Sequence, residues 1–178
     1  LYRETAAFES AAKGETSPDA FRQLRNLQWL LMVSGQSEKA LANARRTLEI
    51  SRSAAAAPSI SPVRLADFAY WLLTLEPLEL RDPKTALKWA QRANESANSQ
   101  HADVMVTLAL ALEENGRLNE ALEVIQASAK LPDSLYLYGV ERRLVAVLSS
   151  LGRQVDADRL LRERLSHRLD VQEADEVM

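Results

Sequence analysis

Cysteine is missing from the chain altogether, which excludes disulfides, thiolate catalysis and cysteine-based zinc sites. It does not choose a compartment, because a cysteine-free chain suits cytosol and periplasm alike. Aromatics make up only 6% of the residues, and glycine and proline number five and six. That composition leaves few residues suited to covering a pleated sheet and few interruptions to a helix. Basic charge is not in excess either: the net charge is −3, whereas phosphate binding needs a concentrated basic face. No apolar run approaches the roughly 20 residues of a membrane-spanning helix. What is abundant is Ala and Leu, within a hydrophobic fraction of 47% over 178 residues, and an all-α fold with one sizeable core follows.

The few glycines are placed with regularity. Gly35-Gln-Ser-Glu-Lys-Ala40, Gly116-Arg-Leu-Asn-Glu-Ala121 and Gly152-Arg-Gln-Val-Asp-Ala157 put three of the five glycines five residues before an alanine. Leu27 and Leu31, Leu108 and Leu112, and Leu144 and Leu148 precede those glycines by eight and four residues. Leucines four apart share one face of a helix. A glycine ends that helix at the lowest cost, since the left-handed residue past a C-terminus has no Cβ to clash. The alanine then falls early in the next helix, where two axes approach too closely for a larger side chain. The pattern predicts antiparallel helix hairpins.

A fourth copy is degenerate. Phe68, Ala69 and Leu72 read as the inner face of a first helix and Ala86-Leu87 as the start of a second. The connection within Leu75–Pro83 is longer than the others, and counting back from Ala86 puts Arg81 where the glycine stands elsewhere. Arginine resists a left-handed backbone, so this turn takes another shape, with Asp82 capping a helix that Pro83 opens. Helices are predicted at 1–13, 18–34, 37–53, 61–75, 83–98, 101–115, 118–130, 135–151 and 154–168. The connection from Ser53 to Pro62 is the loosest, and 169–178 is an acidic tail. The chain opens at Leu1-Tyr2-Arg3 without an initiator Met, which reads as a piece of a longer protein.

These residues resemble the tetratricopeptide repeat family. The stretch Leu108, Ala109, Leu112, Gly116, Ala121, Ile125, Ser128 with Pro132 matches best; Gln28 and Arg164 stand where the family prefers small residues. The resemblance implies a right-handed superhelical stack of hairpins. Repeats fall at 18–53, 61–98 (with the enlarged turn), 101–132 and 135–168, behind a leading 1–13 helix belonging to a preceding repeat. Ala69–Leu87 is further similar to the repeat regions C-terminal to bacterial eukaryotic-like Ser/Thr kinases. That implies a signalling parent whose catalytic domain is not in this chain, on either the cytoplasmic or the extracytoplasmic side of a membrane. No Gly-rich phosphate loop, His-Arg-Asp or Asp-Phe-Gly is present.

The search for chemistry yields no catalytic constellation, cofactor site or metal site. His101 and His167 belong to different repeats and read as surface residues. Glu113-Glu114 reads as a solvated helix end, because adjacent helical residues point about 100° apart. The clusters Arg45-Arg46, Arg142-Arg143 and Arg162/Arg164/Arg168 are interleaved with acids, as solvated faces are, and no nucleic-acid partner is expected. Trp71, Trp89 and Phe68 read as core. Trp29 and Tyr70 differ, each lying two residues beyond an inner-face position and so off the hairpin seam.

In the family, certain positions of the first helices face a concave groove. Carried over, they are Arg22, Arg25, Trp29 and Met32; Val63, Ala66, Tyr70 and Leu73; Asp103, Val106, Leu110 and Glu113; and Gly139, Arg142, Ala146 and Ser149. Aromatics flanked by arginine are the residue types that carry most interface energy. The expected groove is therefore Arg22, Arg25, Trp29, Met32, Tyr70, Leu73 and Arg142, receiving a protein or peptide partner. The family's carboxylate clamp is not reproduced, since Arg25-Asn26 and Arg142-Arg143 are only fragments of it. The alternative function is self-association of the array.

Overall fold

The computed structural model describes residues 17–131 and 138–162, without the side chains of Pro18 and Tyr138. The helices are α1 (Pro18–Val33), α2 (Ser37–Ala55), α3 (Pro62–Thr74), α4 (Pro83–Ser96), α5 (Ala102–Glu114), α6 (Leu118–Ser128), α7 (Tyr138–Ser150) and α8 (154–162), with no strand among the described residues. The 1–13 helix and the acidic tail of the sequence reading lie outside the described residues, as does His167.

Three helices begin with a capping side chain followed by proline. The Oγ of Ser17 accepts from the Ala20 N–H at 3.1 Å, Ser61 Oγ from Arg64 at 3.4 Å, and Asp82 Oδ1 from Thr85 at 3.0 Å. Burial works to raise the Asp82 carboxyl, but hydrogen bonds with Thr85, helped by Arg52 and Lys88, outweigh it and hold the group below its ordinary value. The repeated glycines end helices as the pattern requires, with φ of 71°, 73° and 70° at Gly35, Gly116 and Gly152. The next N–H donates back to the leucine four residues before the glycine: Gln36 to Leu31 O, Arg117 to Leu112 O and Arg153 to Leu148 O, each at 2.9 Å. Leucine and glycine at this spacing thus form one C-terminal cap, one supplying the acceptor and the other the reversal. Arg81 is extended (φ −68°, ψ 141°), and a single 3-10 turn, Leu78–Leu80, replaces the glycine cap.

Hairpins α1–α2, α3–α4 and α5–α6 pack antiparallel, and the first helices α3, α5 and α7 lie side by side. Alanines mark the closest approaches: Ala40, Ala44, Ala86, Ala90, Ala93, Ala109, Ala121 and Ala157 are fully buried. The first hairpin joins the second through rings. Phe21 meets Phe68 edge-on at 4.7 Å between centroids and Trp71 at 5.8 Å. The architecture is an α-helical solenoid of antiparallel hairpins.

Three sequence expectations are corrected. His101 is not a surface residue: it is half-buried, and its Nδ1 is enclosed without a hydrogen-bond partner. Glu113 is not solvated, because α7 packs along α5 and brings Arg143 Nη1 to within 2.6 Å of its carboxylate, both side chains being 17% exposed. Ser150 Oγ donates to the same carboxylate at 3.1 Å. Arg143 likewise leaves the solvated cluster, while Arg142 stays exposed.

Candidate functional site

The first helices present one layer of side chains, and their i, i+3 and i, i+4 spacings decide which groups meet there. On α1, Arg25 and Trp29 are one turn apart, with Met32 and Val33 on the next turn. On α3, Asp67 and Tyr70 are one turn apart; on α5, Asp103 and Val106 are likewise. Trp29 is 65% exposed, Tyr70 36%, Met32 37% and Val33 62%, a concentration of open apolar area unlike that on α5. Arg22 is exposed and paired with Asp19. Arg25 is half-buried, with no hydrogen bond or ion pair among the described residues.

The structure puts Arg22, Arg25, Trp29 and Met32 on α1 and Tyr70 on α3, and sets Arg142 apart on α7. Leu73 is a correction, being 2% exposed and part of the core. Trp71, Leu72 and Leu73 are all buried, and three consecutive residues point in directions about 100° apart, so the last turn of α3 is enclosed nearly all round. Ala66 and Leu110 are also buried. Val106 runs on toward α7, where a Cβ on Gly139 would lie 3.8 Å from Val106 Cγ1.

Asp67 is the residue that sequence reasoning missed. Its side chain is open to solvent, yet its carboxyl is held above the ordinary value, chiefly because surrounding protein desolvates it. Arg25 pulls it down, Asp103 pushes it up and Arg64 pulls it down. The charges that bear on Asp67 thus come from Arg25 on α1 and Asp103 on α5 as well as from its own helix. Its place one turn before Tyr70 was the available signal.

A polar clasp holds this end together. Gln28, buried at 6% exposure where a small residue is usual, donates through Nε2 to the Glu76 carbonyl at 2.7 Å and accepts from Asn43 Nδ2 at 3.1 Å. Arg81 donates through Nε to the Leu75 carbonyl at 2.8 Å and pairs with Glu76. Arg92 on α4 donates to the carbonyls of Ala55 and Ala57, at and just past the end of α2. The enlarged turn is therefore fastened to α1, and Trp29 stands beside that fastening. Among the described residues no group of three or more His, Asp or Glu could hold a metal ion, and no helix is long and apolar enough to cross a membrane.

No protein-family model matches the chain, and no curated protein sequence is significantly similar to it. Solved structures do match. A Podospora anserina protein described as a kinesin light chain, built of nearly identical TPR-like repeats, aligns with a TM-score of 0.59 at 16% identity, over 97% of this chain and 85% of that one. MamA from Desulfovibrio magneticus RS-1 aligns with a TM-score of 0.53 at 14% identity, over 96% of this chain and 94% of that one. At such identities the likeness is one of fold, and the fold is tetratricopeptide-like. The resemblance drawn from the Leu, Gly and Ala spacing holds at that level.

Proposed function

We propose that the chain is a non-catalytic scaffold that captures a segment of another protein on the layer of its first helices, around Arg22, Arg25, Trp29, Met32 and Tyr70, with Arg142 as an outlying contact. In this reading the layer belongs to four TPR-like repeats whose sequence bounds are 18–53, 61–98, 101–132 and 135–168. The observation that carries the reading is Trp29, the largest apolar side chain available, left 65% exposed beside an unpaired arginine on the face such folds offer to partners. Peptide-array binding tests it. Trp29→Ala and Arg25→Glu should abolish capture while leaving the helical circular dichroism and melting temperature nearly unchanged. Capture that survives both substitutions removes the reading.

A larger bacterial signalling parent, such as a Ser/Thr kinase, is supported by the resemblance of Ala69–Leu87. Sequencing the surrounding reading frame tests it, and a frame without a kinase domain removes it. The second reading is self-association, favoured by Val155 and Leu161, 75% and 46% exposed on α8. Light scattering on the chain and on a Val155→Glu, Leu161→Glu variant decides it: a monomer in both cases removes it.

A further inference from the structure

We infer that the hairpin α1–α2 is a hinged flap: it swings about the connection 56–61, and the Gln28–Glu76 hydrogen bond is the catch that holds its turn end closed. Trp29 rides on the part that moves and Tyr70 on the part that stays, so the swing changes the spacing of the two rings. The motion does not depend on the capture of any partner.

The hairpin is well joined within itself. α1 and α2 pack along one another over the fully buried Ala40 and Ala44, and Asn43 Nδ2 donates to the Leu24 carbonyl at 3.0 Å and to Gln28 Oε1 at 3.1 Å. Buried Thr47 and Ser51 turn their hydroxyls onto carbonyls of their own helix, at 2.8 Å each. Toward the rest of the molecule the approaches are sparse. α4 packs along α5 and α6 along α7, whereas α2 meets α3 at few points.

The contacts that do join it gather at one end. The start of α1 lies beside the end of α2, and there Ala20 and Ala55 are buried, Phe21 sits on Phe68 and Trp71, and Arg92 holds the carbonyls of Ala55 and Ala57 at 2.5 and 2.7 Å. Arg52 and Asp82 add a solvated pair at 4.0 Å. Because Phe21 already meets the middle of α3, Gln28, two turns on, lies against Glu76, past Thr74 where α3 ends. The rest of α1, Trp29 to Val33, runs on beyond α3, and among the described residues Gln28 is the last side chain of α1 to hydrogen-bond outside its own hairpin.

Burial follows that overhang. Four and five residues before the capping glycine, Leu112 and Ala111 of α5 and Leu148 and Val147 of α7 are buried. Leu31 and Leu30 of α1 are half-buried, and Met32 and Val33 beside them are exposed. A cohesive hairpin, fastened at its base next to a non-helical connection carrying Pro58, has the construction of a hinge. A single neutral hydrogen bond is a weak catch, shifting such an equilibrium by about two- to tenfold.

Paired spin labels on introduced cysteines test the swing, since the chain has no thiol of its own. Ser37, Lys84 and Asn119 are exposed residues at the starts of α2, α4 and α6. In the full chain, Ser37→Cys with Lys84→Cys should give a two-peaked distance distribution by double electron–electron resonance. Lys84→Cys with Asn119→Cys, and Ser53→Cys with Ser96→Cys at the base, should each give one narrow peak. Gln28→Leu fills a similar space without the donor, and should raise the open share of the first pair about fivefold while leaving the other two unchanged. A first pair as narrow as the others overturns the flap. Gln28→Leu broadening all three pairs alike overturns it too, because that is general loosening, and an unchanged first pair in that variant removes the catch.

Discussion

In α5, nine of thirteen residues are buried, and the helix is enclosed by α3, α4, α6 and α7. In α1, only Ala20, Phe21 and Gln28 are buried among the side chains described. Both helices open a hairpin, and both end in a leucine–glycine cap of the same geometry. They differ in how they pack against their neighbours. α5 lies against its neighbours along a seam of small residues such as Ala102 and Ala109, which lets backbones approach and leaves little side chain over. α1 is joined by long groups: the Phe21 ring on Phe68 and Trp71, and the Gln28 amide on the Glu76 carbonyl. A seam held by reach leaves the outward face uncovered, and there Trp29, Met32 and Val33 stand open. Buried contact and exposed apolar area are thus concentrated in different hairpins.

If that contrast is right, the two seams should break under opposite changes. Removing reach should damage the first: Phe21→Ala empties the ring cluster and should cost about 3–5 kcal/mol in urea denaturation. Removing room should damage the other: Ala121→Trp forces an indole between α5 and α6 and should cost about 3 kcal/mol. The same enlargement at exposed Ala42 on α2 should stay within about 0.5 kcal/mol, as surface changes do. If Ala121→Trp is tolerated, the small-residue seam is not what closes the third hairpin.

Gln28 sharpens the contrast. Leucine fills a similar volume but leaves the Glu76 carbonyl without its donor and takes one acceptor from Asn43, which keeps only its bond to the Leu24 carbonyl at 3.0 Å. Gln28→Leu should cost about 1–3 kcal/mol, the usual penalty for stranding buried polar groups. It should also speed amide exchange selectively in 76–82. A neutral result would mean that the rings alone join the first hairpin to the second.

These two seams also mark what could be read from residues alone. The leucine, glycine and alanine spacing announced the hairpins because each member answers to local geometry: a shared helix face, a left-handed backbone, a close crossing. Arg81 was legible for the same reason, as a residue unfit for positive φ that does take an extended conformation. Contacts between helices far apart in the chain were not. Gln28 looked like a misfit because its partners, Asn43 and Glu76, lie 15 and 48 residues away. Glu113 looked solvated because Arg143 reaches it from 30 residues on. Leu73 was assigned outward by its place in a repeat, yet the burial of Trp71 and Leu72 beside it leaves the end of α3 little outward face. Of the site, Trp29 and Tyr70 were visible as residues off the seam. Asp67 was not, because its unusual environment is assembled from α1, α3 and α5 together.

Asp67 supplies a smaller test of opposite sign. Its folded carboxyl sits above the value of 3.8 that it takes in an unfolded chain, so the folded state holds that proton more tightly. Stability therefore falls as pH rises from 3.8 through the folded value, and the penalty is complete at neutral pH. Asp67→Asn removes the ionised form and should raise the melting temperature at pH 7 while changing little below pH 3.8. Equal effects at both pH values would place the cause in packing instead of charge.

The smallest expected effect is the most discriminating. Trp29 is 65% exposed and has no ring contact among those that join α1 to α3, so truncation removes surface from water without opening a cavity. Trp29→Ala should change stability by no more than about 0.5 kcal/mol, as surface substitutions do away from caps and networks. Phe21, two turns earlier on the same helix, should show the full cost of a core ring. A large loss at Trp29 would make it part of the seam and close the open face on which the binding argument stands. A negligible one leaves a tryptophan whose exposure the fold does not require, and the requirement then has to come from something that docks against it.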